Sequence, residues 1–180
     1  MVIRRHRHGG FSLIELMVGI ALMALLVTFG MPSMHAWLQS SQIRNAAESV
    51  QNGLQAAKSE AVRRNTGVQL SLTSMVATGA ADWSVTCVTP ANCPEGVIQA
   101  YSATEGAPAA QIASTQATIV FNGMGRVTPA ADITLNITNP NGGTCVASGG
   151  NMRCLRIVVS SGGHIKMCDP ALPSTNPRGC

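Results

Sequence analysis

At 180 residues the chain has room for one domain of ordinary size and an appendage, with a formal net charge of +4, 11% charged residues and 3% aromatic. Of the twelve Lys/Arg, Arg4, Arg5 and Arg7 precede residue 11; nine stand against eight Asp/Glu over residues 11–180, and five against five over 66–180. The basic balance therefore belongs to the leader and argues little for a nucleic-acid partner. Abundant Ala, Gly, Ser and Thr point to an exported β-rich domain with light side chains, not a cytosolic enzyme.

After the basic leader, residues 16–43 contain no Asp, Glu, Lys or Arg, and residues 16–31 are nearly all apolar. A run of about 20 such residues spans a bilayer as a helix, and the Arg-rich leader is expected to stay cytoplasmic. A secretory signal is cut after its apolar region; here Gly9-Gly10 ends the leader ahead of it. Glu15 lies at the edge of the apolar run, where a carboxylate either sits at headgroup level or pairs with a cation.

The stretch Gly10-Phe11-Ser12-Leu13-Ile14-Glu15 resembles the class III signal of type IV pilins and type II secretion pseudopilins. The resemblance implies that prepilin peptidase cuts between Gly10 and Phe11 and methylates the new amino group on Phe11. It also implies that Glu15 guides subunit docking by pairing with a Phe11 amine, a neighbour's or its own; a carboxylate in an apolar setting needs a cation, and cleavage creates one. The domains expected on this basis are a leader over 1–10, the transmembrane half of a long helix over 11–35, and a periplasmic domain over 36–180, placing the protein in the bacterial inner membrane and then in a filament.

Pro32 predicts a kink near Gly30-Met31-Pro32. Beyond it Ile43, Ala46, Ala47, Val50, Leu54, Ala57 and Ala61 recur at three- and four-residue steps, with Arg44, Gln51, Gln55 and Lys58 between them. That is the pattern of an amphipathic helix with one apolar stripe, ending near Asn65-Thr66-Gly67. From Gly67 the period changes to two, predicting strands at 67–72, 83–88, 97–101, 117–121, 132–138, 154–160 and 163–168, the last two forming a hairpin. Residues 74–82 and 102–116 read as mobile loops. The fold class expected is α+β, pilin-like, with the long N-terminal helix packed on an antiparallel sheet or sandwich.

Six cysteines, Cys87, Cys93, Cys145, Cys154, Cys168 and Cys180, all lie beyond the apolar run. Their even number and position favour disulfides in an oxidising compartment. A metal site is the alternative, but no Cys-x-x-Cys knuckle is present. Sequential pairing is the simplest of about fifteen connectivities.

Phe121-Asn122-Gly123-Met124-Gly125-Arg126 resembles the Phe-x-x-x-Gly-Arg turn of the GspH/FimT family of minor pilins and pseudopilins, and Leu155–Ser160 followed by Ile165–Pro170 resembles its closing hairpin. The resemblance implies a structural subunit that initiates or caps a type IV pilus or a type II secretion pseudopilus, with other major and minor pilins or pseudopilins as partners. No catalytic set is visible: His6 and His8 are in the leader, His35 follows the apolar run, and His164 has Asp169 nearby but no nucleophile elbow or metal-ligand cluster. No phosphate-binding glycine loop is present, and no cofactor or metal is expected. Arg126 is either a solvated charge or a bridge to a neighbouring subunit.

Arg153, Arg156, Lys166 and Arg178 gather in the last 28 residues with only Asp169 against them. A Cys168–Cys180 bridge would present Lys166 and Arg178 together, enough for weak, salt-sensitive binding of double-stranded DNA through its phosphates. FimT-like relatives capture DNA in natural transformation through a Gly-Arg-x-Arg element, whose place here reads Gly163-His164-Ile165-Lys166. Lys166 keeps the charge, but His164 is mostly neutral near pH 7. A DNA-binding minor pilin is therefore the alternative to the structural reading, with Arg153, Arg156, His164, Lys166 and Arg178 as its residues.

Overall fold

Helix α1 runs from Leu13 to Arg64 in a computed structural model that describes residues 12–73 and 81–180, the side chains of 30–33 excepted. The leader, the Gly10/Phe11 junction and residues 74–80 of the first expected loop lie outside the described residues, as do the side chains at the expected Pro32 kink. No single helix there is long and apolar enough to cross a membrane, but by length and composition Leu13–Phe29 together with Met34–Arg64 is. The chain divides into two compact units between Ala36 and Trp37.

In the first unit the helix has no core to bury. Its large apolar side chains, Leu13, Leu26 and Phe29 among them, are exposed. In the second unit the period-3.6 stripe does what amphipathic patterning demands: Ile43, Ala46, Ala47, Val50, Leu54, Ala57 and Ala61 are all fully buried. The helix stops where Asn65 turns to φ 49°, with Thr66 N–H donating to Ala61 O at 3.1 Å. Asn tolerates this left-handed cap better than most side chains.

Among the described residues nine strands follow: β1 (Val68–Leu72), β2 (Trp83–Cys87), β3 (Val97–Tyr101), β4 (Gln111–Ser114), β5 (Thr118–Phe121), β6 (Val127–Thr128), β7 (Ile133–Thr138), β8 (Leu155–Val159) and β9 (Ile165–Cys168). They form a five-stranded sheet, β3-β2-β1-β5-β6, and a four-stranded sheet, β4-β7-β8-β9. Each pairing between these strands is antiparallel. Alternate residues of β1, β2 and β7 are buried, so each sheet turns one face to the core shared with α1.

One expectation fails. Residues 102–116 are not simply a loop: they include β4, paired with β7 from Gln111↔Thr138 to Ser114↔Leu135, and Ala103, Ala107, Ala110 and Ile112 are buried. Asp82 accepts from Ala103 N–H at 2.6 Å, and Asn45 of α1 donates to Gly106 O at 3.3 Å. Small alanines fit against the core without producing a run of large apolar residues. Strand β6, only two residues long, was equally invisible to periodicity.

Gly53 explains a feature that helix propensity does not. A Cβ there would lie 2.8–2.9 Å from the ring of Trp83. The indole rests on the helix backbone, donates to Ser49 Oγ at 2.9 Å and stacks on Tyr101 with ring centroids 5.9 Å apart. Propensity alone would make Gly53→Ala stabilising by about 1 kcal/mol. Displacing an indole tied by a hydrogen bond and a stack costs more, of order 1–3 kcal/mol beyond that gain. Gly53→Ala should therefore lower the denaturation midpoint of the full-length protein in detergent; an unchanged or raised midpoint would refute this account of the packing.

Candidate functional site

Three places carry the residues singled out by sequence. The first is the start of α1, where Glu15 is exposed in the opening turn. Its expected partner, the Phe11 amine, is outside the described residues.

The second is the Phe121–Arg126 turn. Phe121 is fully buried as an anchor. Asn122 Oδ1 accepts from Met124 N–H and Arg126 N–H, each at 3.0 Å, and Asn122 N–H donates to Arg126 O at 2.9 Å. The glycine has a steric reason. Gly125 adopts φ +73°, and a Cβ there would press on Lys58 and Val62 of α1 at 3.2 Å. Across from it, Gly163 in the β8–β9 link has φ +80°, and a Cβ on it would fall 1.9 Å from Gly125 O. Lys58 Nζ closes the junction by donating to Gly163 O at 2.8 Å. Helix, turn and hairpin thus meet at one point. Lys58 is a residue the sequence pattern placed only on the polar face of α1. The Arg126 side chain is exposed.

The third is the carboxy-terminal region. Cysteines join sequentially as Cys87–Cys93, Cys145–Cys154 and Cys168–Cys180. The last bridge closes a loop whose Asp169 N–H donates to Arg178 O at 2.7 Å. Lys166 Nζ donates to Gly179 O at 2.8 Å, so this ammonium holds the loop in place and is not simply displayed beside Arg178. Arg156 Nε donates to Asn136 Oδ1 at 2.7 Å. Arg153 Nε pairs with the nearly buried Asp169 at 2.6 Å. Arg153 and Arg178 line one groove of about 640 Å³ together with Arg44 and Glu48 of α1, over apolar Ile43, Leu155 and Met167. His164 lies elsewhere, beside Lys58, Val62 and Arg63. The five residues are therefore not one patch. Arg44, unmarked by any motif, joins two of them by lining the same groove. Among the described residues no three His, Cys, Asp or Glu side chains gather as metal ligands would.

The end of α1 is clamped by charge. Arg63 Nη2 and Arg64 Nε reach Glu60 Oε2 at 2.5 and 2.8 Å. Arg64 also pairs with Glu95 and donates to Asn92 O at 3.2 Å, within the loop that Cys87–Cys93 closes.

A long helix with an exposed apolar first half and a second half buried under antiparallel sheets defines a pilin-like architecture. A family model described as Type II transport protein GspH matches residues 46–163, and a prokaryotic N-terminal methylation motif matches residues 5–31. The chain belongs to the GspH/FimT family of minor pilins and pseudopilins, and it is a structural subunit in assembly of a type IV pilus or a type II secretion pseudopilus. A search of curated proteins finds no match. Among solved structures, the type IV minor pilin FimU of Pseudomonas aeruginosa is 18% identical, with TM-scores of 0.54 and 0.52 in two crystal forms; in the first, the likeness covers 77% of this chain and 94% of that one. The minor pseudopilin EpsH from the type 2 secretion system of Vibrio cholerae is 12% identical with a TM-score of 0.51, covering 73% of this chain and 99% of that one.

Hydrogen bonds from Arg63 and Arg64, aided by their charges, lower the Glu60 carboxyl to a pKa of about 2 from its ordinary 4.5. A depressed carboxylate pKa contributes stability that is present above the unfolded value and lost as pH falls through the folded one. The wild type should thus lose this contribution between pH 4.5 and about 2. Glu60→Gln should flatten the dependence of the urea midpoint on pH in that window; parallel curves for the two proteins would contradict the clamp.

Proposed function

We propose that the chain is made as a prepilin with its leader over residues 1–10 and a transmembrane helical half over 11–35, leaving residues 36–180 in the periplasm. Prepilin peptidase cuts between Gly10 and Phe11 and methylates Phe11. The mature subunit waits in the inner membrane until machine motion extracts it, and Glu15 aligns it with a neighbour through a Phe11 amine. The observation that carries this reading is the composition of α1: a carboxylate at the start of an otherwise uncharged apolar run, continuous with a stripe buried in the head. Its cost in an apolar setting needs the cation that cleavage would create. Glu15→Ala should still be cleaved yet be recovered poorly in sheared filaments, and normal recovery would remove the docking role. Deletion of the gene, with surface pili and secretion scored on the same cells, separates the two machines: loss of pili alone places the subunit in the type IV pilus, loss of secretion alone in the pseudopilus.

Capture of double-stranded DNA is the second reading. It draws on the groove shared by Arg44, Arg153 and Arg178 and on phosphate chemistry that is largely indifferent to sequence. Gel shifts with the full-length protein should show salt-sensitive retardation that weakens in Arg178→Ala and in Lys166→Ala. Absence of any such shift in the parent protein would eliminate this reading.

A further inference from the structure

The uncharged run that starts at residue 16 ends at Arg44, the first charged residue after it. Trp37 comes between the apolar residues and that arginine, and it is the first residue of the second unit. Its indole is 65% exposed, whereas Trp83 of the core is 3% exposed. Trp37, Ser41, Arg44 and Glu48 recur at three- and four-residue steps, the spacing of one helical stripe. All four line the groove shared with Arg153 and Arg178. A solvent-facing tryptophan and an arginine on one stripe, directly after an apolar run, are the pair of anchors that a membrane interface selects.

The groove combines two kinds of surface. Leu155 and Met167 are half-buried in it, so part of its apolar lining meets solvent. Three guanidiniums face two carboxylates there, and the carboxylates do not cancel them. Asp169 is nearly buried, paired with Arg153 and accepting from Ala171 N–H, which leaves Glu48 against three arginines. Arg44 and Arg178 are exposed and belong to none of the ion pairs among the described residues. Free guanidiniums grip phosphate through paired hydrogen bonds. An indole ring settles where acyl chains give way to headgroups. Arg44 stands about 10 Å of helix beyond Trp37, and the headgroup layer is about 5–8 Å deep. The long arginine stem spans the difference.

We propose that this groove seats the headgroup of an anionic phospholipid, with Arg44 and Arg178 on its phosphate and Trp37 against the first carbons of its acyl chains. The inference rests on the reading of residues 11–35 as the membrane-spanning half of α1, and it adds a ligand to the head that assembly alone does not require. Charge alone would suit the phosphates of DNA equally well. The apolar part of the groove decides for a lipid: exposed Trp37 and the half-buried Leu155 and Met167 find a partner in an acyl chain and none along a sugar–phosphate edge. Basic pockets beside spanning helices are a recurrent place for lipid phosphates. A subunit held in this way must give up its lipid before it leaves the bilayer.

The test reads Trp37 fluorescence in the full-length protein, reconstituted into phosphatidylcholine vesicles with about 20% phosphatidylglycerol. Bromine on the acyl chains quenches at short range, and it is carried either by the phosphatidylglycerol or by an equal amount of the phosphatidylcholine. Trp37→Phe gives the signal of the buried Trp83 for subtraction. Resistance to alkaline extraction, measured on the same vesicles, reports insertion. The wild type should insert and should prefer phosphatidylglycerol beside Trp37 by at least about fivefold. Arg44→Gln with Arg178→Gln should insert equally well and bring the two lipids to within about twofold of each other. Insertion with equal quenching in the wild type overturns the proposal alone, whereas failure to insert overturns the membrane-spanning reading as well. A preference that survives the double substitution also overturns it, since the leader arginines or another surface would then be the source. Equal quenching, together with retardation of duplex DNA that the double substitution removes, gives the groove to nucleic acid instead. Thermal melts and mapping of the three disulfides identify a misfolded variant. In that event Arg44→Gln alone should roughly halve the preference, and an unchanged preference would overturn the proposal.

Discussion

The head depends on burial of one helical stripe. Seven residues of α1 from Ile43 to Ala61 are removed from water, and four of them are alanines. Alanine contributes little area of its own, so its value lies in what it lets approach. Both sheets place their apolar faces close to the helix backbone, and Gly53 takes this to its limit by letting the Trp83 ring rest on the helix. Larger residues along the stripe would push the sheets away and open gaps that the light side chains elsewhere cannot fill. The same stripe sets strand register. Alternation in β1, β2 and β7 has one correct phase relative to the helix, and a slip by one residue would turn Leu70, Val85 or Leu135 to the opposite face.

Short strands on a thin core need closure at their margins, and the chain closes them with local devices. Disulfides seal three connections that are short in sequence, separated by 6, 9 and 12 residues. By chain entropy each such loop contributes about 2–3 kcal/mol. Polar contacts complete the closure: Arg64 with Glu95 and Asn92 at the helix end, Lys58 with Gly163 at the hairpin, and Lys166 with Gly179 at the carboxy terminus. Much of the charge outside the leader is engaged in holding the fold. This is why a basic cluster read from sequence exaggerates the charge available to a partner.

Legibility in the sequence followed the physical range of each interaction. The stripe of α1 and seven of the strands were readable because periodicity is local, and so was the hairpin, because glycine marks its link. Strand β4 was missed because Ile112 is its only large apolar residue, and pairing with β7, not pattern, makes it a strand. The glycine-arginine turn was visible as a motif. Its reason was not, because Gly163 and Lys58 meet Gly125 from segments far away in the chain. The same holds for the basic residues: their types were legible, but Asp169, Asn136 and Gly179 as their partners, and Arg44 as a neighbour of Arg178, are products of tertiary packing.

The first half of α1 defines the problem that the protein's role solves. A helix with no charge from residue 16 to 43 and with exposed apolar side chains from Leu13 to Phe29 has no stable place in water. It can be covered by lipid or by similar helices, and transfer from one to the other changes its apolar environment little. Glu15 is different, because a carboxylate discriminates strongly between a bare hydrocarbon setting and one that offers a cation. Under the proposed function, apolar surface would make the helix exchangeable between bilayer and filament, and the single charge would give that exchange a register. A head that is self-sufficient in core, closed by disulfides and polar clasps, would pass through such a proposed transfer unchanged.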